Sequence, residues 1–165
     1  MKSKIAVIGF GNIAKAIVTP LLDKKILHPK NVFCLVKTKK SLEDVKKNYK
    51  YDINIFQANS KDSDIVWECQ LIILSVKPQQ LEDIIECQSN QSNQSNGNLL
   101  VSILAGVSID KLKKRFPNHK CVRAVTNIPI TIGKGLTGIS WSEDLKEDQK
   151  KFIKGFSTWF NFMYF

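Results

Sequence analysis

Gly9-Phe10-Gly11-Asn12-Ile13-Ala14 spaces two glycines and an alanine as Gly-x-Gly-x-x-Ala, directly after the apolar run Ile5 to Ile8. Chemistry at such a stretch is carried by backbone rather than by side chains. The first glycine permits a tight turn, and the second lets the main chain come close to a ligand. Ala14 lets the following helix lie near the strand. The opening N–H groups of that helix have no intrahelical acceptor and carry partial positive charge, which suits a diphosphate. Placed between a strand and a helix, the motif predicts dinucleotide binding; a tight turn without a ligand is the plain alternative.

A dinucleotide lacking a 2′-phosphate calls for a carboxylate at the end of the second strand, where it accepts from the ribose hydroxyls. Here the run "NVFCLV" (31–36) leads instead into Lys37-Thr38-Lys39-Lys40, with no carboxylate before Glu43. Cations and a hydroxyl at that place suit a 2′-phosphate, so NADPH is favoured over NADH. A solvated lysine cluster is the competing reading.

These residues need a scaffold, and the pattern around them supplies one. Short apolar or β-branched runs predict strands near 4–8, 32–36, 53–56, 71–75, 99–103, 121–125 and 136–141. Amphipathic stretches between them predict helices near 12–24, 41–49, 61–68, 79–87, 108–116 and 143–156. Asn12, Ser41 (with Asp44 three residues on) and Ser108 are the expected helix caps. Alternation of this kind argues for an α/β fold, a Rossmann-like, doubly wound, mostly parallel sheet with helices on both faces. The 165 residues read as a single dinucleotide-binding domain. Residues 88–97, with the thrice-repeated Gln-Ser-Asn from Gln88 to Asn96 and then Gly97, are expected to form a low-complexity surface loop.

Composition narrows the function classes. A hydrophobic fraction of 43% and a charged fraction of 24% are those of a soluble globule, and runs such as Leu71–Leu74 fall far short of a membrane span. With no cleavable leader evident, the expected location is cytoplasmic. Cys34, Cys69, Cys87 and Cys121 form no Cys-x-x-Cys pair, so buried free thiols are expected and no metal. The net charge of +10 is concentrated in Lys37 to Lys50 and Lys111 to Arg123. Solvated helix faces account for it more simply than a nucleic-acid surface, since neither run interleaves aromatics.

Three further stretches, "LSVKPQQLEDII" (74–85), "LLVSILAGVSIDKL" (99–112) and "VRAVTNIPITIGKGLTGIS" (122–140), follow the glycine turn in order. Together they resemble pyrroline-5-carboxylate reductase, from Lys4 to about Phe160. The resemblance implies an oxidoreductase of proline biosynthesis, in which NADPH delivers hydride to the C=N carbon of 1-pyrroline-5-carboxylate to give L-proline. It implies that Ile8, Gly9, Phe10, Gly11, Asn12 and Ile13 cradle the pyrophosphate. Lys37, beside Thr38, would meet the adenosine ribose, and Asn59 the adenosine side. Val76, Lys77 and Pro78 would wall the pocket. Ile103, Leu104 and Ala105 would bring backbone to the nicotinamide ribose, with Asn127 and Pro129 beside the nicotinamide. No residue is assigned as a catalytic acid or base.

Two departures from the family stand out. Ile128 occupies a place where the family commonly has a hydroxyl residue. The family's C-terminal helical domain, which forms its dimer and grips the substrate carboxylate, is missing from these residues. Three functions therefore stay open: the reductase, a cofactor-binding module without turnover, and a basic Rossmann protein that binds nucleic acid or an acidic partner. The aromatic ending, Phe156 to Phe165, reads either as a closing edge strand or as a surface that meets a partner domain. The oligomeric state is left open.

Overall fold

Ile5–Ile8, Val32–Val36 and Leu71–Leu74 are apolar throughout and buried throughout, as parallel strands covered on both faces must be. A computed structural model of the chain describes residues 3–84, 98–127, 137–157 and 162–164. In chain order these hold β1 (Ile5–Ile8), α1 (Asn12–Asp23), β2 (Val32–Val36), α2 (Lys39–Asn48), β3 (Asn54–Gln57) and β4 (Leu71–Leu74). There follow β5 (Leu99–Ser102), α3 (Ile109–Arg115), β6 (Lys120–Thr126), β7 (Thr137–Trp141), α4 (Glu147–Ser157) and β8 (Phe162–Tyr164).

The strands form one 8-stranded sheet in the order β3-β2-β1-β4-β5-β6-β7-β8. Pairing is parallel from β3 through β6, antiparallel between β6 and β7, and parallel again between β7 and β8. Because β1 pairs with both β2 and β4, the winding reverses direction at β1. This is the doubly wound, mostly parallel arrangement expected from the sequence. Alternate residues of β1 feed two cores, Ile5 and Val7 on one face, Ala6 and Ile8 on the other. The first face is covered by α1 through Ala14, Ile17, Val18 and Leu21, by Val45 of α2 and by Ile153 of α4. The second is covered by Val66, Trp67, Leu81, Leu112 and Phe116. Phe162–Tyr164 forms the strand at the sheet edge, in line with the edge-strand reading of the ending. Trp159, Phe160 and Phe165 lie outside the described residues, as do Cys87 and the Gln88–Asn96 repeat.

Four sequence expectations need correction. The stretch expected as a helix over 61–68 is a 3-10 segment, Ser63–Glu68. Its apolar residues Ile65, Val66 and Trp67 are consecutive, which serves a short tight turn better than the stripe of an α-helix. Of the stretch expected as a helix over 79–87, the described part is a 3-10 turn at Pro78–Gln80 with further turns to Ile84, and residues 85–87 lie outside the described residues. Leu81 and Ile84 stand three apart, a spacing that both helix types satisfy. Asn12 is not a cap: the helix begins at Asn12 itself, and Gly11 holds the N-cap position with no side chain to close it. Ser41 is not the cap of α2 either. That helix starts earlier, where the Thr38 hydroxyl accepts from the Ser41 N–H at 3.1 Å. The Ser108 cap is found, with its hydroxyl accepting from the Lys111 N–H at 3.2 Å.

The far side of the domain is tied together at Asp144, which lies between β7 and α4. Its carboxylate receives Lys120 of β6 at 2.8 Å and lies 3.9 Å from Lys113 of α3. The Lys120 hydrogen bond lowers the Asp144 pKa from an ordinary 3.8 to about 2, with Lys113 adding to the same effect. A carboxyl group whose folded pKa is depressed stabilises the fold above its ordinary pKa, and loses that contribution as pH falls toward the folded value. Stability measured by urea denaturation is therefore expected to decline between pH 3.8 and about 2. The decline should be shallower in Asp144→Asn; an identical pH profile in the variant would contradict the assignment.

Candidate functional site

At the carboxyl ends of β1 and β4 the backbone hydrogen-bond ladder runs on past the strands. The Gly9 N–H donates to the Leu35 carbonyl at 2.8 Å, and the Ser75 N–H donates to the Ile8 carbonyl at 2.8 Å. The Ile103 N–H donates to the Leu74 carbonyl at 3.0 Å, and the Ala58 N–H to the Val36 carbonyl at 2.8 Å. Four strand exits are thus aligned along one edge, at the reversal of winding where open α/β sheets place a ligand crevice.

The glycine turn is built for close passage. Gly9 has φ +85°, in the left-handed region, and a Cβ placed on it would lie 2.8 Å from both the Ser75 carbonyl oxygen and Val76 Cγ1. Only glycine meets both conditions. Gly11 differs: its backbone is extended, and a Cβ there would meet nothing within 4 Å. That open space lies over the N-terminus of α1, whose first turn contains no acidic residue. Gly11, Asn12 and Ile13 are all exposed. The opening residues of α1 therefore face solvent while Ala14 is buried, and their N–H groups, without intrahelical acceptors, stand at the positive end of the helix dipole. A diphosphate fits these residues: a helix start with no capping side chain, no carboxylate in its first turn, and no side chain at residue 11 to fill the approach.

Phe10, in the middle of the motif, turns inward. It is buried and packs edge-on against Tyr49 with ring centroids 5.0 Å apart, so only its backbone is available to a ligand. Tyr49 is held in turn by Thr19 of α1 at 3.0 Å. At the β2 exit, Lys37 and Thr38 are exposed as expected. Thr38 is occupied in capping α2, and Lys37 Nζ lies 2.9 Å from Asp83 Oδ2. Asn59 sits just past β3 with φ +63°, a conformation asparagine tolerates in turns. Val76 touches the Gly9 position, Lys77 holds the N-cap position of the 3-10 turn, and Pro78 takes its first position. Leu104 is buried in the second core, whereas Ile103 is half-buried and Ala105 exposed beside Gly106, which has φ +72°. Asn127 is exposed at the end of β6. Pro129 and Ile128 lie outside the described residues.

The structure also brings in residues that sequence reasoning missed. Ser75 supplies the carbonyl that makes glycine obligatory at residue 9. Asp83 reaches Lys37 from 46 positions away, a pairing that no local spacing announces. Val125, inside the quoted stretch 122–140, is 49% exposed while its neighbour Ala124 is buried. The two point to opposite faces of β6, yet Cys121 shares the face of Val125 and is fully buried, so strand alternation does not announce this exposure. A separate cavity of about 540 Å³ near Tyr49, Lys50, Tyr51 and Ile53 contains none of the motif residues.

Other reactive groups are set apart from this edge. Burial raises the Cys34 thiol well above its usual range and pushes Cys69 up to about 12, so both stay neutral at physiological pH. Among the described residues, Cys34, Cys69 and Cys121 are buried free thiols, and no three potential metal ligands gather. No helix among them is long and apolar enough to cross a membrane.

The doubly wound sheet and its glycine turn have the form of a dinucleotide-binding domain. Residues 4–106, more than half of the chain, match the family described as NADP oxidoreductase coenzyme F420-dependent, and the chain belongs to that family. The resemblance to pyrroline-5-carboxylate reductases is met as well. The chain is 29% identical over 149 residues to pyrroline-5-carboxylate reductase of Synechocystis sp., an alignment covering 90% of this chain and 53% of that protein. The pyrroline-5-carboxylate reductase structure from Coxiella burnetii matches with TM-score 0.78 and 23% identity, covering 100% of this chain and 59% of that one. The pyrroline carboxylate reductase of Plasmodium falciparum, solved with NADP bound, matches with TM-score 0.72 and 20% identity, covering 99% of this chain and 58% of that one. The chain spans about half the length of the curated relatives it matches.

The two glycines should separate experimentally. Gly9→Ala combines a left-handed backbone with a backbone clash and is expected to cost about 2–4 kcal/mol in urea denaturation. Gly11→Ala, on extended backbone facing open space, should cost under about 1 kcal/mol. Equal effects at the two positions would contradict the geometry.

Proposed function

We propose that this chain binds NADPH at the β1–α1 turn and presents it for reduction of the C=N bond of 1-pyrroline-5-carboxylate. The reading rests on one observation above others: a glycine made obligatory by the β4 exit, next to a helix start with nothing closing it. It is supported by the family match and by relatives whose names specify that substrate. The amides of Asn12 and Ile13 hold the diphosphate. Lys37 and the N-terminus of α2, with Lys39 and Lys40 exposed beside it, hold the 2′-phosphate and favour NADPH over NADH. The β5–α3 turn at Ile103 to Ala105, together with Asn127, orients the nicotinamide end. When bound, the reduced nicotinamide supplies the hydride. The protein's task is then alignment and exclusion of water rather than proton transfer by a dedicated side chain.

A second reading is a cofactor-binding module that does not turn over by itself, since the residues gathered at this edge are assigned to the cofactor and none to the substrate. Fluorescence titration with both nucleotides, followed by an assay of NADPH oxidation in the presence of pyrroline-5-carboxylate, tests both. NADPH should bind about tenfold or more tightly than NADH, the margin of one charge-assisted hydrogen bond. Turnover on the order of 1–10³ s⁻¹ would support the reductase. Binding without turnover would select the module, and equal affinity for the two nucleotides would refute the 2′-phosphate assignment.

A further inference from the structure

The Lys37–Asp83 ion pair lies in an unusual place for a surface contact. Lys37 directly follows β2, whereas Asp83 belongs to the segment after β4, and β1 stands between those two strands in the sheet. The 2.9 Å contact therefore spans the crevice from one flank to the other. Asp83 is not on a loose arm. Its neighbour Glu82 pairs with Lys111 of α3 at 3.2 Å, Arg115 of α3 donates to the Ile84 carbonyl, and the side chains of Leu81 and Ile84 are buried. The segment holds the carboxylate where the sequence places no acid, beside the cation that follows β2.

We propose that Asp83 is an internal competitor for the cofactor's 2′-phosphate, and so sets how strongly this chain discriminates NADPH from NADH. The inference rests on the reading that Lys37 meets that phosphate. Both partners are more than half exposed, at 62% and 55%, so the pair is weak and gives way to a phosphate carrying more negative charge. Once displaced, the carboxylate stays near the phosphate, because its flanking residues are fixed, and repels it. Asp83 thereby lowers affinity for the phosphorylated cofactor while scarcely touching the one without the phosphate. The chain's preference is consequently narrower than its lysines alone would give.

Fluorescence titration of Asp83→Asn, Lys37→Met and the double variant with NADPH and NADH tests this, with thermal denaturation confirming that each variant folds. Asp83→Asn is expected to tighten NADPH binding roughly three- to tenfold and to change NADH binding less than about twofold. Lys37→Met should weaken NADPH binding selectively, and the gain from Asp83→Asn should shrink in its background. If Lys37→Met weakens NADPH but Asp83→Asn leaves it unchanged or weaker, the competitor role is refuted while the phosphate assignment stands. Selective loss of NADH binding in Asp83→Asn would instead make Asp83 a ribose-hydroxyl acceptor, and also refutes it. If Lys37→Met has no effect on NADPH, the phosphate assignment falls and takes this inference with it.

Discussion

A carbon atom at residue 9 has nowhere to go. The turn from β1 into α1 passes so close to the exit of β4 that a side chain there would strike the Ser75 carbonyl and Val76, and the backbone conformation is left-handed besides. This constraint is a consequence of topology. Because β1 pairs with β2 on one side and β4 on the other, the chain leaving β1 must clear both neighbours before α1 can pack on the sheet. It does so in the fewest residues, with Gly9 tied to Leu35 and Ser75 tied to Ile8. The helix then begins at Asn12 without a capping side chain. Its amides are left for a ligand, and the burial of Phe10, Ala14, Ile17 and Val18 holds the helix in place without help from a cap.

Magnitudes indicate which contacts set the site and which merely decorate it. Full burial of a single Val, Leu or Ile side chain is worth about 1.5–3 kcal/mol. Under α1 several such side chains act together, so the helix start is rigid. Exposed ion pairs such as Lys39–Glu43 or Lys37–Asp83 contribute about 0–1 kcal/mol each. The scaffold is therefore set by packing, and the charges along the β2 flank are only weakly held. That division suits the proposed function: a fixed backbone turn where a diphosphate would sit, and a soft electrostatic rim where a 2′-phosphate would be distinguished.

Much of this could be read from the residues. Short apolar runs such as IAVI and LIIL, alternating with amphipathic stretches, point to a mostly parallel sheet, and the glycine spacing points to the tight turn after β1. What stayed hidden had physical reasons. Leu81 and Ile84 stand at a spacing shared by α and 3-10 turns, so helix type was undetermined there. Thr38 and Ser41 are both hydroxyl residues one turn apart, and only the hydrogen bond between them shows which one caps. Sheet order is a long-range property, so the approach of Ser75 to Gly9 and of Asp83 to Lys37 had no local signature. Phe10 belongs to the motif, yet its side chain serves the core, a distinction that spacing does not carry.

The proposed cofactor site depends on the amides at the start of α1. Recording backbone ¹H–¹⁵N spectra during NADPH titration tests it directly. The largest shifts are predicted at Gly9, Gly11, Asn12 and Ile13, with smaller ones at Lys37 and Ala105. Shifts confined to the cavity around Tyr49 and Tyr51, or no shifts at saturating nucleotide, would contradict it.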